Sequence, residues 1–388
     1  MTIAQGIAFG PSVTAEIESE VRRVLDSRAD RVGALGSTAA QAWDLASRCL
    51  LGGKLLRPRL LIGAFDALCA CPYPELPADP GPSPSVSALQ CRPEARDQAV
   101  RIAAGIELLH FAFLLHDDVI DGDLMRRGRP NFIGLLLEEW QAGSGAGGAE
   151  QATVASQLHA ARNTAMLVGD LLLSAAHQIF FSAALPSDSH SRLLEQLDRA
   201  VMESVSGELT DVALGAGRVR SGLAEVVEMS RQKTATYSFE LPLHSAAILS
   251  GASPETEAIL GRAGALLGLA YQLQDDLLST FGRPDEHGKD AYSDLREGKE
   301  TAIIAVARRT SAWPLIEPHF GAGDLSSQEG ATVRSLLSDC GAEGEIRALI
   351  DELSANAREL VAAEPMLIGP DMARLLDELI EALDGRRS

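Results

Sequence analysis

The sequence predicts an all-α protein, and three observations lead to that prediction. Hydrophobic residues make up 46% of the 388 residues but aromatic residues only 4%, which is typical of alanine- and leucine-rich helices rather than of β-sheets. Apolar residues recur at helical spacing in many segments, without the sustained alternation that indicates a strand. The sequence also contains no heptad pattern and no repeat of fixed period. We therefore expect one helical domain over residues 1–388.

The helical segments follow one another along the chain. Gly52 and Gly53 separate the second segment from the third. Pro242 is expected to kink or restart the seventh, because proline cannot donate the hydrogen bond that a helix interior needs. The approximate bounds of the segments are 13–25, 36–50, 55–68, 98–116, 153–184, 191–214, 223–249, 261–281, 301–312, 331–337, 343–363 and 371–383.

Two insertions interrupt the helices. One covers about residues 72–97, where seven prolines occur from Cys71 through Pro93 among serine, glycine and aspartate, a composition that does not hold a helix. The other covers about residues 141–152 and contains a glycine-rich run at 143–148. We interpret both as exposed loops.

Charge and composition argue against several classes of function. The formal net charge of −20 makes nucleic acids and anionic membrane surfaces poor partners. The five cysteines are odd in number and scattered, which predicts reduced thiols in a cytoplasmic protein. The first ten residues lack the basic region of a signal peptide, and the most apolar stretch, 165–185, is interrupted by Asp170 and His177. We expect a soluble cytoplasmic protein without stable membrane insertion.

The most informative motif follows a long apolar segment and contains Asp117 and Asp121. Their spacing of four places both carboxylates on one helix face, where like charges repel. A hard cation relieves that repulsion, and magnesium takes one or two carboxylates and completes its shell with water and phosphate oxygens. Arg126 and Arg127 could then bind those phosphates bidentately. The alternative is a solvated acidic helix end followed by a basic turn.

A second acidic pair, Asp275 and Asp276, again ends a long apolar run. Gln272 precedes these residues by three and four positions and therefore lies on the same helical side. Two such helices facing one another would form a cavity with carboxylates at one end and apolar walls below. That arrangement suits a substrate with a diphosphate head and a hydrocarbon tail.

With these motifs the sequence resembles the trans-type polyprenyl diphosphate synthases of the isoprenoid synthase superfamily. The first motif matches the family's D-D-x-x-D without inserted residues, and the second matches it except at the last position, where Ser279 replaces aspartate. Further matches, in the family's order, are residues 52–58, Lys233-Thr234, and Gly288-Lys289 with residues 294–301. The match runs from about residue 40 to about residue 310. It implies an isoprenoid synthase-type helical bundle around a central apolar cavity.

The resemblance also implies roles for individual residues. Two or three magnesium ions would be held by Asp117, Asp121 and Asp275, and the catalytic set would be Asp117, Asp118, Asp121, Asp275 and Lys233. Isopentenyl diphosphate would be bound by Lys54, Arg57, His110 and Arg127. The allylic diphosphate would be bound by Arg126, Lys233, Thr234, Gln272 and Lys289, supported by Asp276.

The implied activity is the condensation of isopentenyl diphosphate with an allylic diphosphate, by an enzyme that is usually a homodimer. In the resembling family, bulky residues four or five positions before the first motif stop chain growth. Here the fourth position is Phe113 and the fifth is the small Ala112. One ring instead of two implies a product longer than fifteen carbons, so we expect geranylgeranyl diphosphate.

Two other functions stay open at this point. A class I terpene cyclase shares the first motif, and residues 275–279 fit the start of its second, but Arg283 stands where the closing acid should be. Lys54, Arg57 and His110 would also have no use in a cyclase. A non-catalytic subunit of a heteromeric synthase usually loses metal-binding aspartates, whereas only one of six is missing here.

Overall fold

The structure, a computed structural model, describes residues 11–70, 93–126, 128–143, 153–218, 222–282 and 292–385. These residues are helical almost throughout, which confirms the predicted all-α class. The first helices are α1 (Pro11–Gly33), α2 (Ser37–Leu50), α3 (Leu56–Ala70), α4 (Pro93–Asp121), α5 (Phe132–Gly143), α6 (Val154–Phe181) and α7 (Ser187–Gly215). The only strands in the described ranges, β1 (Met125–Arg126) and β2 (Arg129–Pro130), form an antiparallel pair between α4 and α5.

The second half of the chain begins with a break in α-helical geometry. In order it contains α8 (Leu223–Ser230), a π-helix (Arg231–Glu240), α9 (Leu241–Ser250), α10 (Pro254–Phe281), α11 (Ser293–Glu297), α12 (Ala302–Ala307) and α13 (Trp313–Ile316). After a 3₁₀ turn (Glu317–His319) come α14 (Ser327–Asp339), α15 (Ala342–Ala362), α16 (Pro365–Ile368) and α17 (Pro370–Asp384).

The described residues fall into two compact units. Among the described residues, one unit consists of 11–59 together with Val100–Ala184, and the other of Leu60–Ala99 together with Leu185–Ser388. Within the first unit, α2 packs against α1, α5 and α6. Within the second, α10 packs against the π-helix, α9 and α15. A single domain over residues 1–388 stays a prediction.

Helix α10 carries the second acidic motif, and local sequence fixes its start. The Ser253 hydroxyl accepts a hydrogen bond from the Thr256 amide (3.2 Å), and Pro254 occupies the first turn, where its missing N–H costs nothing. Gly251, in the left-handed region at φ 72°, ends α9 just before. The predicted effect of Pro242 is confirmed, because a new α-helix begins at Leu241 with the proline in its first turn.

Several predicted bounds are wrong. Helix α4 starts at Pro93, not at 98, so residues 93–97 do not belong to the first insertion. Helix α5 extends to residue 143, so the second insertion does not start at 141, and α5 itself is not among the predicted helices. The segment predicted for 301–312 is α-helical only to Ala307. The remainder of both insertions, 72–92 and 144–152, lies outside the described residues.

Two described helices, α4 and α6, are long and apolar enough to cross a membrane by length and composition. In α4, 67% of the most apolar window is buried inside the protein, as in the core helix of a soluble protein, which passes the same test. In α6 the buried share is 44%. These two helices are therefore weak support for a membrane span.

Candidate active site

The first acidic motif forms the last turn of α4. The helix ends at Asp121 because Gly122 adopts a left-handed conformation at φ 76°. Most of the preceding helix is buried, but one line of side chains at helical spacing is only half-buried. We call this line the open strip of α4; its members are His110, Phe113, Leu114, Asp117 and Asp121. A histidine, an apolar segment and two carboxylates thus share one accessible face, as their spacing predicts.

The charges in this last turn have the unfavourable sign for their position. The C-terminal end of a helix carries partial negative charge and favours cations, yet the last turn of α4 contains carboxylates and no basic residue. Asp118 points inward, with 3% of the residue exposed, and burial raises its pKa to about 6 although Arg126 opposes that shift. A bound cation would relieve both the dipole and the repulsion between Asp117 and Asp121.

Arg126 provides part of that compensation within the chain. Its guanidinium donates to Asp118 Oδ1 through NH2 (2.6 Å) and Nε (3.1 Å), and to Asp117 Oδ2 through NH2 (3.3 Å). The β1–β2 pairing places Arg126 there, opposite Arg129. Gly128, at φ 71°, belongs to the connecting turn. Arg127 lies outside the described residues.

Two contacts that the sequence does not mark hold the ends of this loop. Asn131 donates from Nδ2 to the Asp123 carbonyl (2.8 Å) and accepts from the Gly134 amide (3.0 Å), so it joins the acidic loop to the start of α5. His116 Nε2 lies 3.3 Å from the Met166 carbonyl oxygen, and a Cβ on Gly169 would come within 2.4 Å of that nitrogen. Close packing of α4 on α6 therefore positions the residue just before Asp117.

The glycine-rich stretch before α3 is a turn with unusual backbone angles. Gly52 has φ 95°, and Leu55, although not glycine, has φ 50° and is buried. Lys54 lies two residues before α3 and is exposed. Arg57 lies in the first turn of α3 and is half-buried. The carboxylate of the buried Glu107 lies against Gly53, where an added Cβ would be 3.3 Å from Oε1. Nothing in the sequence marks Glu107, which lies in an otherwise apolar segment.

The second acidic motif lies near the end of α10. Gln272, Asp275, Asp276 and Ser279 are half-buried, while Leu273, Gln274 and Leu277 between them are buried. The Gln272 amide donates to Asp276 Oδ1 (2.8 Å). Although the Asp276 residue keeps some exposure, its carboxyl group is surrounded, and burial raises its pKa to about 7, helped by the charges of Asp294 and Asp275.

Lys233 and Thr234 lie in the π-helix, a geometry that often marks functional sites. The Lys233 ammonium group donates to Asp211 Oδ2 (2.6 Å) and lies 2.9 Å from Glu208 Oε2, both on α7. Gly207 permits this approach, because a Cβ there would lie 2.4 Å from the Lys233 amide nitrogen. On α10, a Cβ on Gly268 would lie 2.8 Å from the Ala235 Cα.

The carboxylates on Lys233 are functional candidates that the sequence motifs miss. Glu208 and Asp211 are three apart on a predicted helix, so the sequence predicts that they share a face. It does not predict their contact with Lys233, which is more than twenty residues away. Lys289, the other expected diphosphate ligand from this part of the chain, lies outside the described residues.

The donor set fits magnesium. It consists of carboxylate oxygens in an electrostatically unfavourable position, and oxygen atoms are the ligands that magnesium prefers. Among the described residues, no three His, Cys, Asp or Glu side chains form a ready-made cage. That arrangement suits magnesium, which keeps several waters and binds through one or two carboxylates together with substrate phosphates.

Comparisons with known proteins agree with this geometry. The polyprenyl synthetase family model matches residues 43–324. The chain is 30% identical over 297 residues to a (2E,6E)-farnesyl diphosphate synthase of Mycobacterium tuberculosis, covering 74% of this chain and 67% of that protein. It is 30% identical over 315 residues to a geranylfarnesyl diphosphate synthase of Natronomonas pharaonis, covering 79% and 75%.

A solved structure shares the whole fold. It is a geranylgeranyl pyrophosphate synthase from Corynebacterium glutamicum, complexed with isoprenyl diphosphate and magnesium. The TM-score is 0.78 at 25% identity, and the match covers 96% of this chain and 98% of that one. The isoprenoid synthase-type helical fold is thereby confirmed. On the family match and the relatives together, this chain is a prenyl-transferring enzyme and belongs to the polyprenyl synthetase family.

Proposed function

We propose that this enzyme condenses isopentenyl diphosphate with an allylic diphosphate in a magnesium-dependent reaction, and that its main product is geranylgeranyl diphosphate. The observation that carries the proposal is that each acidic motif shares an accessible helix face with a further polar side chain. Asp117 and Asp121 share the open strip of α4 with His110. Asp275 lies on a half-buried face of α10 with Gln272.

We assign the residues as follows. Asp117, Asp121 and Asp275 would hold two or three magnesium ions, with Asp118 and Asp276 beside them. Lys54, Arg57, His110 and Arg127 would bind isopentenyl diphosphate. Arg126, Lys233, Thr234, Gln272 and Lys289 would bind the allylic diphosphate. When bound, magnesium supplies positive charge that stabilises the departing diphosphate.

The protein side chains contribute orientation and charge. Arg126 and Lys233 are both held by carboxylates, so they are already oriented when an anionic group arrives. As diphosphate leaves, their positive charges offset the negative charge that develops on its oxygens. The double bond of isopentenyl diphosphate then attacks the allylic carbon, and the released diphosphate takes the proton that is lost. The apolar members of the open strip, Phe113 and Leu114, keep water from the reacting carbon.

The product assignment depends on α4. Phe113 is half-buried on the open strip one turn before Asp117, where it can block a growing tail. Ala112 is fully buried (0% exposed), so it faces the packed interior rather than the strip. The named relatives make products of fifteen, twenty-five and, for the solved structure, twenty carbons by name. Phe113 is therefore the basis for the twenty-carbon proposal.

We also propose that the enzyme is a homodimer in the cytoplasm. Helix α7 exposes an apolar stripe at spacings of three and four: Met202, Val205, Leu209 and Val212. A second copy is the expected occupant, because an apolar stripe of this length on a highly charged protein suits a self-complementary interface. Leu209→Glu should shift the sedimentation coefficient to that of a monomer, whereas Glu352→Ala, an exposed residue of α15, should not. A monomeric wild type would contradict the proposal. Cys49 and Cys340, which form no disulfide within the described residues, fit a reducing compartment.

One assay tests the activity. The purified chain is incubated with isopentenyl diphosphate and, in turn, dimethylallyl, geranyl and farnesyl diphosphates, with magnesium or with EDTA, and the dephosphorylated products are sized. We expect a twenty-carbon product that requires magnesium. Cyclic hydrocarbons formed without isopentenyl diphosphate would indicate a cyclase, and no turnover by the chain alone would indicate a non-catalytic subunit.

A further inference from the structure

The π-helix is joined to α7 by a cluster of charged side chains. Arg231 and Glu240 are the first and last residues of the π-helix, and the Arg231 guanidinium donates a hydrogen bond to Glu240 Oε1 (2.8 Å). Arg231 also donates to Glu228 of α8 (2.9 Å) and to Glu203 of α7 (2.8 Å). Arg199, one turn before Glu203, donates to Glu203 (2.7 Å) and to Glu240 (3.2 Å). We call these five side chains the Arg231 network.

The spacing within this network follows the period of a π-helix. Arg231 and Glu240 are nine residues apart, which in an α-helix is about two and a half turns and places side chains on opposite sides. In a π-helix, whose hydrogen bonds join residues five apart, nine residues make about two turns and end on the same side. Thr236 lies between them, where its hydroxyl accepts from Arg231 (3.5 Å) and donates to Glu203 (3.2 Å). The contact between Arg231 and Glu240 therefore requires the π-helical register.

Burial makes this contact selective. Glu240 is 3% exposed, and burial raises the pKa of its carboxyl group, while the charges of Arg231 and Arg199 oppose that rise. A buried carboxylate without its partner is costly, so a register that separates Glu240 from Arg231 is disfavoured. Buried ion pairs add little net stability, and their best-attested role is to fix the register of packed helices. The Arg231 network thus favours the π-helical register over the α-helical one.

The face of α7 that carries Glu203 continues to Lys233. Gly207 follows Glu203 by four residues and lies against the main chain of Lys233, where an added Cβ would be 2.4 Å from the amide nitrogen. Asp211 follows by four more and accepts a hydrogen bond from the Lys233 ammonium group. One face of α7 therefore contacts both the Arg231 network and the lysine.

The far end of the π-helix is held by α10. A Cβ on Gly264 would lie 3.0 Å from the Glu240 Cα, so close packing of main chains fixes the position of Glu240. Lys233 precedes Glu240 by seven residues. If those residues took α-helical geometry, Lys233 would rotate by about a third of a turn around the axis, because each α-helical residue advances by a larger angle. Its side chain would then point away from Asp211.

We propose that Arg231 and Glu240 are positioning residues: their ion pair holds this segment in the π-helical register and so directs Lys233 toward the allylic diphosphate. This inference rests on the proposed function, in which Lys233 binds that diphosphate. Arg231 and Glu240 act through Lys233 and do not themselves contact substrate.

A double-mutant cycle shows whether Arg231 acts through Lys233. Steady-state kinetics with geranyl diphosphate and isopentenyl diphosphate are measured for wild type, Arg231→Gln, Lys233→Ala and the double variant Arg231→Gln/Lys233→Ala. Arg262→Gln, which replaces an exposed arginine of α10, is the matched control. Melting temperatures identify any variant that fails to fold. Glu240→Gln removes the other charge of the pair and takes the place of Arg231→Gln if that variant does not fold.

We expect Arg231→Gln to lower kcat/KM for geranyl diphosphate by about 10- to 100-fold, because misplacing a binding group by about 1 Å can cost that much. The KM for isopentenyl diphosphate should stay unchanged. In the Lys233→Ala background the same substitution should change kcat/KM by less than about threefold, since the group that it positions is absent. Wild-type kinetics in a folded Arg231→Gln variant, or an equal loss with and without Lys233, overturns the inference.

Hydrogen exchange distinguishes a failure of this inference from a failure of the proposed function. Amides of residues 231–240 should exchange at least about tenfold faster in Arg231→Gln than in wild type or Arg262→Gln, because the register is no longer held. If wild type makes no prenyl product from any allylic primer, the proposed function fails and the role of Arg231 fails with it. If wild type is active and the exchange rates do not change, only the role of Arg231 is wrong.

Discussion

The Lys233 ammonium group lies 2.6 Å from the Asp211 carboxylate, a pair formed between the π-helix and α7. Hydrogen bonds to charged groups contribute about 1.5–3 kcal/mol, which corresponds to roughly 10- to 100-fold in rate or affinity. We therefore expect Asp211→Asn to lower kcat/KM for the allylic diphosphate by at least about tenfold. The KM for isopentenyl diphosphate should stay unchanged. Asp188→Asn, exposed at the start of the same helix, is the control, and equal effects of both variants would contradict a role for the pair.

Asp117→Ala and Asp275→Ala should each reduce turnover by several orders of magnitude and leave the circular-dichroism spectrum helical. Each change removes a proposed magnesium ligand that is only half-buried, rather than a core side chain. EDTA should abolish wild-type activity, and added magnesium should restore it. Activity close to wild type in either variant, with magnesium present, would show that the metal is held elsewhere.

Phe113→Ala should lengthen the product by at least one five-carbon unit, because it removes the phenyl ring from the open strip of α4. Products are dephosphorylated and sized by chromatography. Phe320→Ala removes a half-buried ring in the other unit and should leave product length unchanged. An unchanged distribution in Phe113→Ala would mean that another element limits chain growth.

Ala112→Phe is a poorer probe than the sequence suggests, because Ala112 is fully buried and a ring there must first be accommodated by the core.

Glu257→Gln should lower the free energy of unfolding by about 3 kcal/mol at neutral pH, the usual cost of breaking a buried ion pair. Glu257 is buried near the start of α10, accepts from His244 (3.3 Å), and pairs with Arg192. Burial alone would raise its pKa, but the hydrogen bonds from His244 and Arg192 outweigh burial and hold the pKa below 4.5.

The pH dependence of that loss follows from the lowered pKa. The stabilisation is complete above about pH 4.5, the unfolded value, and disappears as pH falls through the lower folded value. Urea unfolding of both proteins from pH 7 to pH 3.5 should therefore show curves that converge at low pH. Glu359→Gln, an exposed glutamate of α15, should match wild type throughout. Curves that stay parallel would assign the loss to packing instead of charge.

Local pattern was enough to predict most of the fold and the shared face of the two carboxylates on α4. Asp117 and Asp121 are four apart on a periodic apolar helix, so their shared face follows from sequence alone. The predicted start of α4, at 98, is five residues late, because a proline-rich composition indicates a loop. Proline is nevertheless well tolerated in a first helical turn, and the helix begins at Pro93. Helix α5 was missed because its apolar residues run consecutively from Ile133 to Leu137 instead of recurring with the helical period.

The contacts between distant segments could not be read from the sequence. The pairing of Ser279 with Asp294, and of Lys233 with Glu208 and Asp211, depends on how helices pack, and no local pattern records it. The sequence predicts a continuous α-helix where the structure has the π-helix. Hydrogen bonds between residues five apart have no strong sequence signature.

Two glycines let neighbouring helices approach the π-helix closely: Gly207 on α7 lies against the main chain of Lys233, and Gly268 on α10 lies against Ala235. Because the contact involves the main chain of Lys233, we expect substitutions of neighbouring apolar core side chains to leave the position of Lys233 unchanged. The members of the open strip of α4 are half-buried side chains and can vary more freely. Directed evolution of product length should therefore succeed on α4, while the smallest change available at either glycine, a single methyl group, should be among the most damaging in the enzyme.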